Sequence, residues 1–275
     1  MKRLEALRVV AAEAQRGELV FATSVAVASR IHAALEDPNI HVAAAARLVQ
    51  TEPLLAARCV AMANSVAYQR SVPLITDVGS AVTRLGLRTV STLAEALIVR
   101  QLAGAPKDPV QQTVLAHLWE HTAHVASLSR LIARRVTHLD PETALFAGLV
   151  HEVGNFYLIS RSPEFPSLLD IEHESEEEEF EIAVNRAVVA TLSLPAPIVE
   201  ALEIAWMGYV ASPTATLGDT VALAKALAPV ESPFVRLQNS RRIAPMDMMI
   251  GEERLTGILQ DSKEEVDSLT HALTL

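Results

Sequence analysis

His151 and Glu152 are adjacent in the run FAGLVHEVGNFYL, and His121 lies thirty positions upstream. Two imidazoles and a carboxylate are the side chains that hold a hard or borderline divalent cation and acidify a water bound to it. His117, His121 and His124 recur at i, i+4 and i+7, near one face of a helix. Successive turns of one helix seldom converge on a single ion, so His117 and His124 are expected to pack or to face solvent. His121 remains a candidate ligand or a retained structural histidine.

The elements that must position these residues are legible from helix punctuation. Asp37-Pro38, Glu52-Pro53 and Asp140-Pro141 each set an acidic residue before a proline, and each is expected to open a helix, where the missing N–H of a first-turn proline costs nothing. Leu54, Leu55, Cys59 and Met62 form a stripe to be buried. Asp77 is expected to cap a helix running to Leu85, with Gly86 allowing a bend before a continuation to Leu102 and Gly104. Asn64-Ser65 ends the helix opened by Pro53, and their short polar side chains are expected to satisfy local backbone groups ahead of the connection over 65–77. The stretch GAPKDP (104–109) then interrupts the pattern, and a long helix is expected from about Pro109 to Thr137. Beyond Pro229 come polar residues and prolines, then two amphipathic pieces, Met246 to Leu259 and Ser262 to Leu275, expected as helices.

Composition bounds the function. The 275 residues are 50% hydrophobic and only 4% aromatic, with Ala and Leu dominant, which favours closely packed helices over strands. A net charge of −10 repels a phosphate backbone on average, so nucleic acid is not expected as a partner. No apolar run reaches the roughly 18 residues a bilayer demands, and the first residues lack a signal-peptide pattern; no membrane association and a bacterial cytoplasm are expected. Cys59 is the sole cysteine and reads as a small buried hydrophobe. Residues 172–181 carry seven glutamates, expected as a solvated helix opening or else a docking surface for a basic partner. Arg84, Arg88 and Arg100 could meet an anion, but no glycine-rich phosphate loop accompanies them, and dinucleotide, NTPase, redox and hydrolase-elbow motifs are absent.

Several spaced stretches resemble one family. Glu52-Pro53 through Ala63-Asn64-Ser65 to Tyr68, then Ala81-Val82 with Leu85-Gly86, WEHT around His121, and DPETALFAGLVHEVGNFYL (140–158) occur in the order found in HDOD proteins, the HD-related output domains of bacterial signalling, over about residues 20–230. The resemblance implies an all-α, two-lobed helical architecture whose second lobe is HD-domain-like. The break at GAPKDP and the change of character after Pro229 divide the chain into three expected segments: an N-terminal lobe over 1–107, an HD-like lobe over 108–230 and a C-terminal helical extension over 231–275. Asn64, Ser65 and Gly86 are the motif residues of the resemblance. HD enzymes place a His, a His-Asp pair and a distant Asp around their metal. Here the pair is His151-Glu152, with a carboxylate displaced by one methylene, and the register of VALAKALA (221–228) puts Lys225 at the final ligand position, where an ammonium repels a divalent ion. Asp219 could substitute only in another register. The further ligands of two-metal members fall on Glu181, Ile204, Ala205 and Trp206, so they are missing.

The expected function is therefore a non-catalytic signal-transduction adaptor or sensor, working through signalling proteins and a small-molecule or nucleotide signal, with a homodimer as one form. His121, His151, Glu152 and Lys225 are expected to line a relic HD site without catalytic residues or cofactor, in which Glu152 and Lys225 pair in place of a metal. The alternative is a metal-dependent phosphohydrolase acting on a nucleotide or phosphoester, with His121, His151 and Glu152 holding Fe, Mn, Zn or Mg. A ligand-free scaffold is a third reading.

Overall fold

A computed structural model describes residues 2–19, 25–68, 74–170, 177–192, 194–207, 214–234 and 252–274, and these are helical with no strand among them. The helices are α1 (Arg3–Gln15), α2 (Val25–Leu35), α3 (Val42–Val49), α4 (Pro53–Ala63), α5 (Val78–Leu85), α6 (Leu87–Leu102), α7 (Pro109–Ile132), α8 (Pro141–Val150), α9 (Val153–Arg161), α10 (Glu177–Leu192), α11 (Ala196–Trp206), α12 (Leu217–Leu227), α13 (Glu252–Asp261) and α14 (Lys263–Thr274). The all-α class expected from composition is the observed one.

Proline-opened starts hold at three places. Glu52 accepts from the Leu55 amide, Asp108 from Val110 and Gln111, and Asp140 from Thr143, each ahead of a proline at the first helical position. Asp37-Pro38 does not open a helix. Asp37 instead closes a turn by accepting from the Asn39 amide, and α3 begins only after His41. An Asx turn and an N-cap use the same side-chain oxygen, and three residues after a proline are too few to distinguish them in sequence. Gly86 joins α5 to α6 at φ 79°, a left-handed value that a Cβ would strain. The long helix ends in a π-helical turn over Ala133–Thr137, and His138 follows at φ 54°.

Helix α7 is the axis of the molecule. It packs on α8, α12 and α14, while α6 reaches across to α8 and α9 and so joins the two sets of helices. Gly148 of α8 sets the spacing at the centre, because a Cβ there would lie 2.6 Å from the Ala126 Cα on α7. Only hydrogen fits, and the two backbones approach accordingly. Helix α1 lies against α10, across the boundary expected at 107. The acidic opening of α10 explains that contact. Glu177 is buried and pairs with Arg3, which also reaches Glu181 at 2.6 Å. The expectation of a solvated acidic run fails at these two residues, since one arginine from α1 supplies the counter-charge; residues 172–176 lie outside the described set.

The family-motif residues knit the chain locally. Asn64 donates from Nδ2 to the Ile75 carbonyl at 2.7 Å and accepts from the Ile75 amide at 2.9 Å, fastening the end of α4 to the segment before α5. Ser65 donates to the Met62 carbonyl at 2.7 Å. Tyr68 donates to Glu142 at 2.6 Å and lies beneath the Arg130 guanidinium, which also bonds Glu142 and Glu265. This network ties α4, α7, α8 and α14 together. Cys59 is buried, and burial pushes its thiol up to about 12, leaving a neutral hydrophobe.

Candidate functional site

The His151-Glu152 pair occupies the break between α8 and α9. His151 Nδ1 donates to the Gly148 carbonyl at 2.8 Å, the carbonyl that a continuing helix would offer to the residue-152 amide. Glu152 then leaves the helical region at φ −121°, ψ 31°, which turns its carboxylate inward. The Trp206 indole donates to the His151 carbonyl at 2.9 Å and so satisfies a carbonyl that the end of α8 leaves without a helical partner. The close approach at Gly148 brings His151 against His121 of α7, with Nε2 to Nε2 at 3.3 Å.

Both histidine tautomers are fixed by acceptors. A carbonyl can only accept, so the contacts from His121 Nδ1 to the Val230 carbonyl (2.6 Å) and from His151 Nδ1 to the Gly148 carbonyl place a proton on each Nδ1. Each neutral ring then presents an Nε2 lone pair to the other. A shared proton would relieve that repulsion, but burial pushes both imidazoles toward the neutral form, and His151 falls to about 3 despite the opposing pull of Glu152. The pocket is therefore rich in unspent lone pairs. His121, His151 and Glu152 offer one donor atom each within 4.8 Å of one another, an arrangement suited to a cation.

The cation present is an ammonium. Lys225 Nζ of α12 stands 2.6 Å from Glu152 Oε1, and that same oxygen is 3.7 Å from His151 Nε2 and 3.9 Å from His121 Nε2. Burial alone would raise the Glu152 carboxyl, but the Lys225 charge and its hydrogen bond overturn it and hold the group well below the usual carboxylate range. Its second oxygen accepts from the Ser232 hydroxyl at 2.6 Å and the Asn155 amide at 3.3 Å. With Oε1 bonded to the Lys225 ammonium and Oε2 to Ser232 and Asn155, a cationic side chain already stands where a divalent ion would sit, and the donor set does not fit a metal.

The structure thus brings His121, His151, Glu152 and Lys225 together. His117 is exposed and His124 half-buried, away from the cluster, in keeping with packing and surface roles. Asp219 is buried as the reciprocal cap of α12 with Thr216, not as a ligand. Arg84, Arg88 and Arg100 do not converge: Arg84 donates to the Ala63 carbonyl, Arg88 pairs with Asp140, and Arg100 lies over Trp119. Sequence reasoning missed Val230 and Ser232, which sit at the edge of the expected HD-like lobe and beyond it. A segment after Pro229 with no periodicity gave no signal that it folds back over the site. It also missed Trp206 as a support for the histidine turn.

The chain belongs to the HDOD domain family, whose model matches residues 22–200. No curated protein is similar to it. Among solved structures it is similar to a candidate metal-dependent phosphohydrolase from Shewanella amazonensis SB2B, at TM-score 0.71 and 19% identity over 98% of this chain and 99% of the other. It is also similar to an HDOD domain protein of unknown function from Geobacter sulfurreducens, at TM-score 0.64 and 23% identity over 98% of each chain. A candidate signal transduction protein from Marinobacter aquaeolei VT8 follows at TM-score 0.58 and 18% identity, over 90% of this chain and 59% of that one. At these identities the likeness establishes the fold. Among the described residues no helix is long and apolar enough to cross a membrane.

Proposed function

We propose that this chain is a non-catalytic signalling adaptor or sensor of the bacterial cytoplasm, acting by binding signalling proteins or a small molecule, and that its HD-type centre has become an internal ion pair. The observation that carries the reading is the Lys225 ammonium at 2.6 Å from Glu152, where an enzyme would need a divalent ion. A charge fixed there stabilises the carboxylate without activating water, so the pocket holds α7, α8 and α12 together and performs no turnover. HDOD membership supports signalling as the context, and the net charge of −10 argues against nucleic acid as the partner.

A second reading, a metal-dependent phosphohydrolase, draws on one specific observation: both imidazoles are already oriented by carbonyls with Nε2 free, as metal-ligating histidines are. Elemental analysis after dialysis against Mn, Fe, Zn and Mg separates the two. The adaptor reading expects substoichiometric metal and no hydrolysis of a generic phosphodiester, with Lys225→Asp gaining metal affinity by at least about tenfold as the repulsive charge becomes a ligand. One equivalent of metal retained by the unaltered protein, with hydrolysis that a chelator abolishes, would replace it with the enzyme reading.

A further inference from the structure

A second cavity, of about 630 Å³, lies between the end of α6, the first half of α7 and the C-terminal helix α14, away from the histidine cluster. Arg100, Trp119, Glu120, His124, Asp267 and His271 are among its walls. Its volume is that of a site for a metabolite or mononucleotide. Beneath the indole sits an anomaly of α4: Arg58 is fully buried, and none of its three guanidinium nitrogens has a hydrogen-bond partner. Its guanidinium carbon is 5.1 Å from the Trp119 ring centroid, and that of Arg100 is 5.7 Å from the same ring.

Two cations share one indole, then, and the deeper one is unsatisfied. Cation–π attraction offsets part of the cost, yet a buried guanidinium without acceptors forfeits most of its solvation. Burial first, then the neighbouring Arg100 charge, lowers Arg58 to about 10, which leaves it protonated at neutral pH. Excess positive charge therefore persists beside Trp119, and carboxylates line the same cavity. Glu120 and Asp267 are the carboxylates that act on the half-buried His124, whose Nδ1 is also buried without a partner.

We propose that this cavity binds a small organic anion, a phosphate monoester or carboxylate of mononucleotide size or less. Its acidic group meets Arg100, with the Arg58 charge behind Trp119, and its N–H donors meet Glu120 and Asp267. Phosphates and carboxylates are the groups that planar guanidinium forks recognise; Arg100 lines the cavity to meet one directly, and the Arg58 charge acts on it from behind the indole. Because α14 forms one wall and its Leu273 carbonyl accepts from the Trp119 indole at 3.1 Å, occupancy would be felt at the C-terminal helix. Binding here depends neither on the Glu152–Lys225 pair nor on any hydrolytic activity.

The test is calorimetry and thermal melting of the full chain with inorganic phosphate, GMP and glutamate, each to about 10 mM at constant ionic strength. Saturable one-to-one binding with a raised Tm is expected for GMP if the source is a phosphate ester, or for glutamate if it is a carboxylate. Arg100→Gln should weaken it by at least about tenfold without lowering the ligand-free Tm. Arg58→Met should weaken binding while raising the ligand-free Tm, the signature of an unpaired buried charge kept for a ligand. Lys225→Met should leave the affinity unchanged. Failure of all three probes to bind, or wild-type affinity in Arg100→Gln, would overturn the assignment, as would loss of binding only in Lys225→Met.

Discussion

Replacing Lys225 by Met isolates the electrostatics of the relic centre. The side chains are nearly isosteric, so the change removes a charge and keeps the methylene packing. The Glu152 side chain is 6% exposed and that of Lys225 34%. Breaking a fully buried pair costs about 3–5 kcal/mol, and an exposed pair contributes about 0–1 kcal/mol. Here the stranded partner is the buried one, but it keeps the Ser232 and Asn155 hydrogen bonds and can take up a proton. The expected loss is about 2 kcal/mol at pH 7, read as a Tm drop of about 4–8 °C. The sign of its pH dependence follows from linkage. Lys225 lowers the folded-state value of Glu152 below its ordinary 4.5, so the pair's contribution is present above that value and is lost as pH falls through the folded one. Without the lysine, burial raises Glu152 above its ordinary value, so the deficit relative to the parent is largest above that raised value and shrinks as pH falls through it toward the parent's lowered one. Urea denaturation at pH 7 and pH 4, with Glu152→Gln and the double variant completing a cycle, measures it. A deficit under about 0.5 kcal/mol, one independent of pH, or strict additivity in the cycle would refute the reasoning.

Asn64→Ala should destabilise by about 2 kcal/mol in chemical denaturation, because it strips both backbone partners from Ile75; unchanged stability with lost partner binding would make Asn64 a recognition residue instead. Gly148→Ala should cost about 1–3 kcal/mol by forcing α8 away from Ala126, and NMR of the ring protons should show His121 and His151 separated. Burial and the Glu36 carboxylate push Glu95, beside His32, up to about 8, so the folded state holds a proton there that the unfolded chain releases near pH 4.5, and stability falls between those values. Glu95→Gln removes that penalty, and its gain in denaturation experiments should be larger at pH 8.5 than at pH 5 by about 4 kcal/mol.

The sequence by itself determined what rests on local rules. Helix starts at Pro53, Pro109 and Pro141 follow from an acidic cap and a proline within three residues, and the bend at Gly86 from a backbone angle that only glycine adopts freely. Spacing against an ordered set of family motifs named His121, His151, Glu152 and Lys225, residues separated by up to 104 positions. Even locally it failed where two uses compete for one side chain, as at Asp37, which closes a turn. What only the tertiary structure decided are the encounters between distant, aperiodic segments. Arg3 neutralises the buried Glu177 from 174 residues away, Ser232 and the Val230 carbonyl close over the histidines from a stretch with no helical signal, and Arg58 hides its charge under Trp119 on a stripe that reads as apolar. Periodicity reports which face of a helix is buried; it does not report what meets that face, because that choice is made by backbone approach and charge complementarity between elements far apart in the chain.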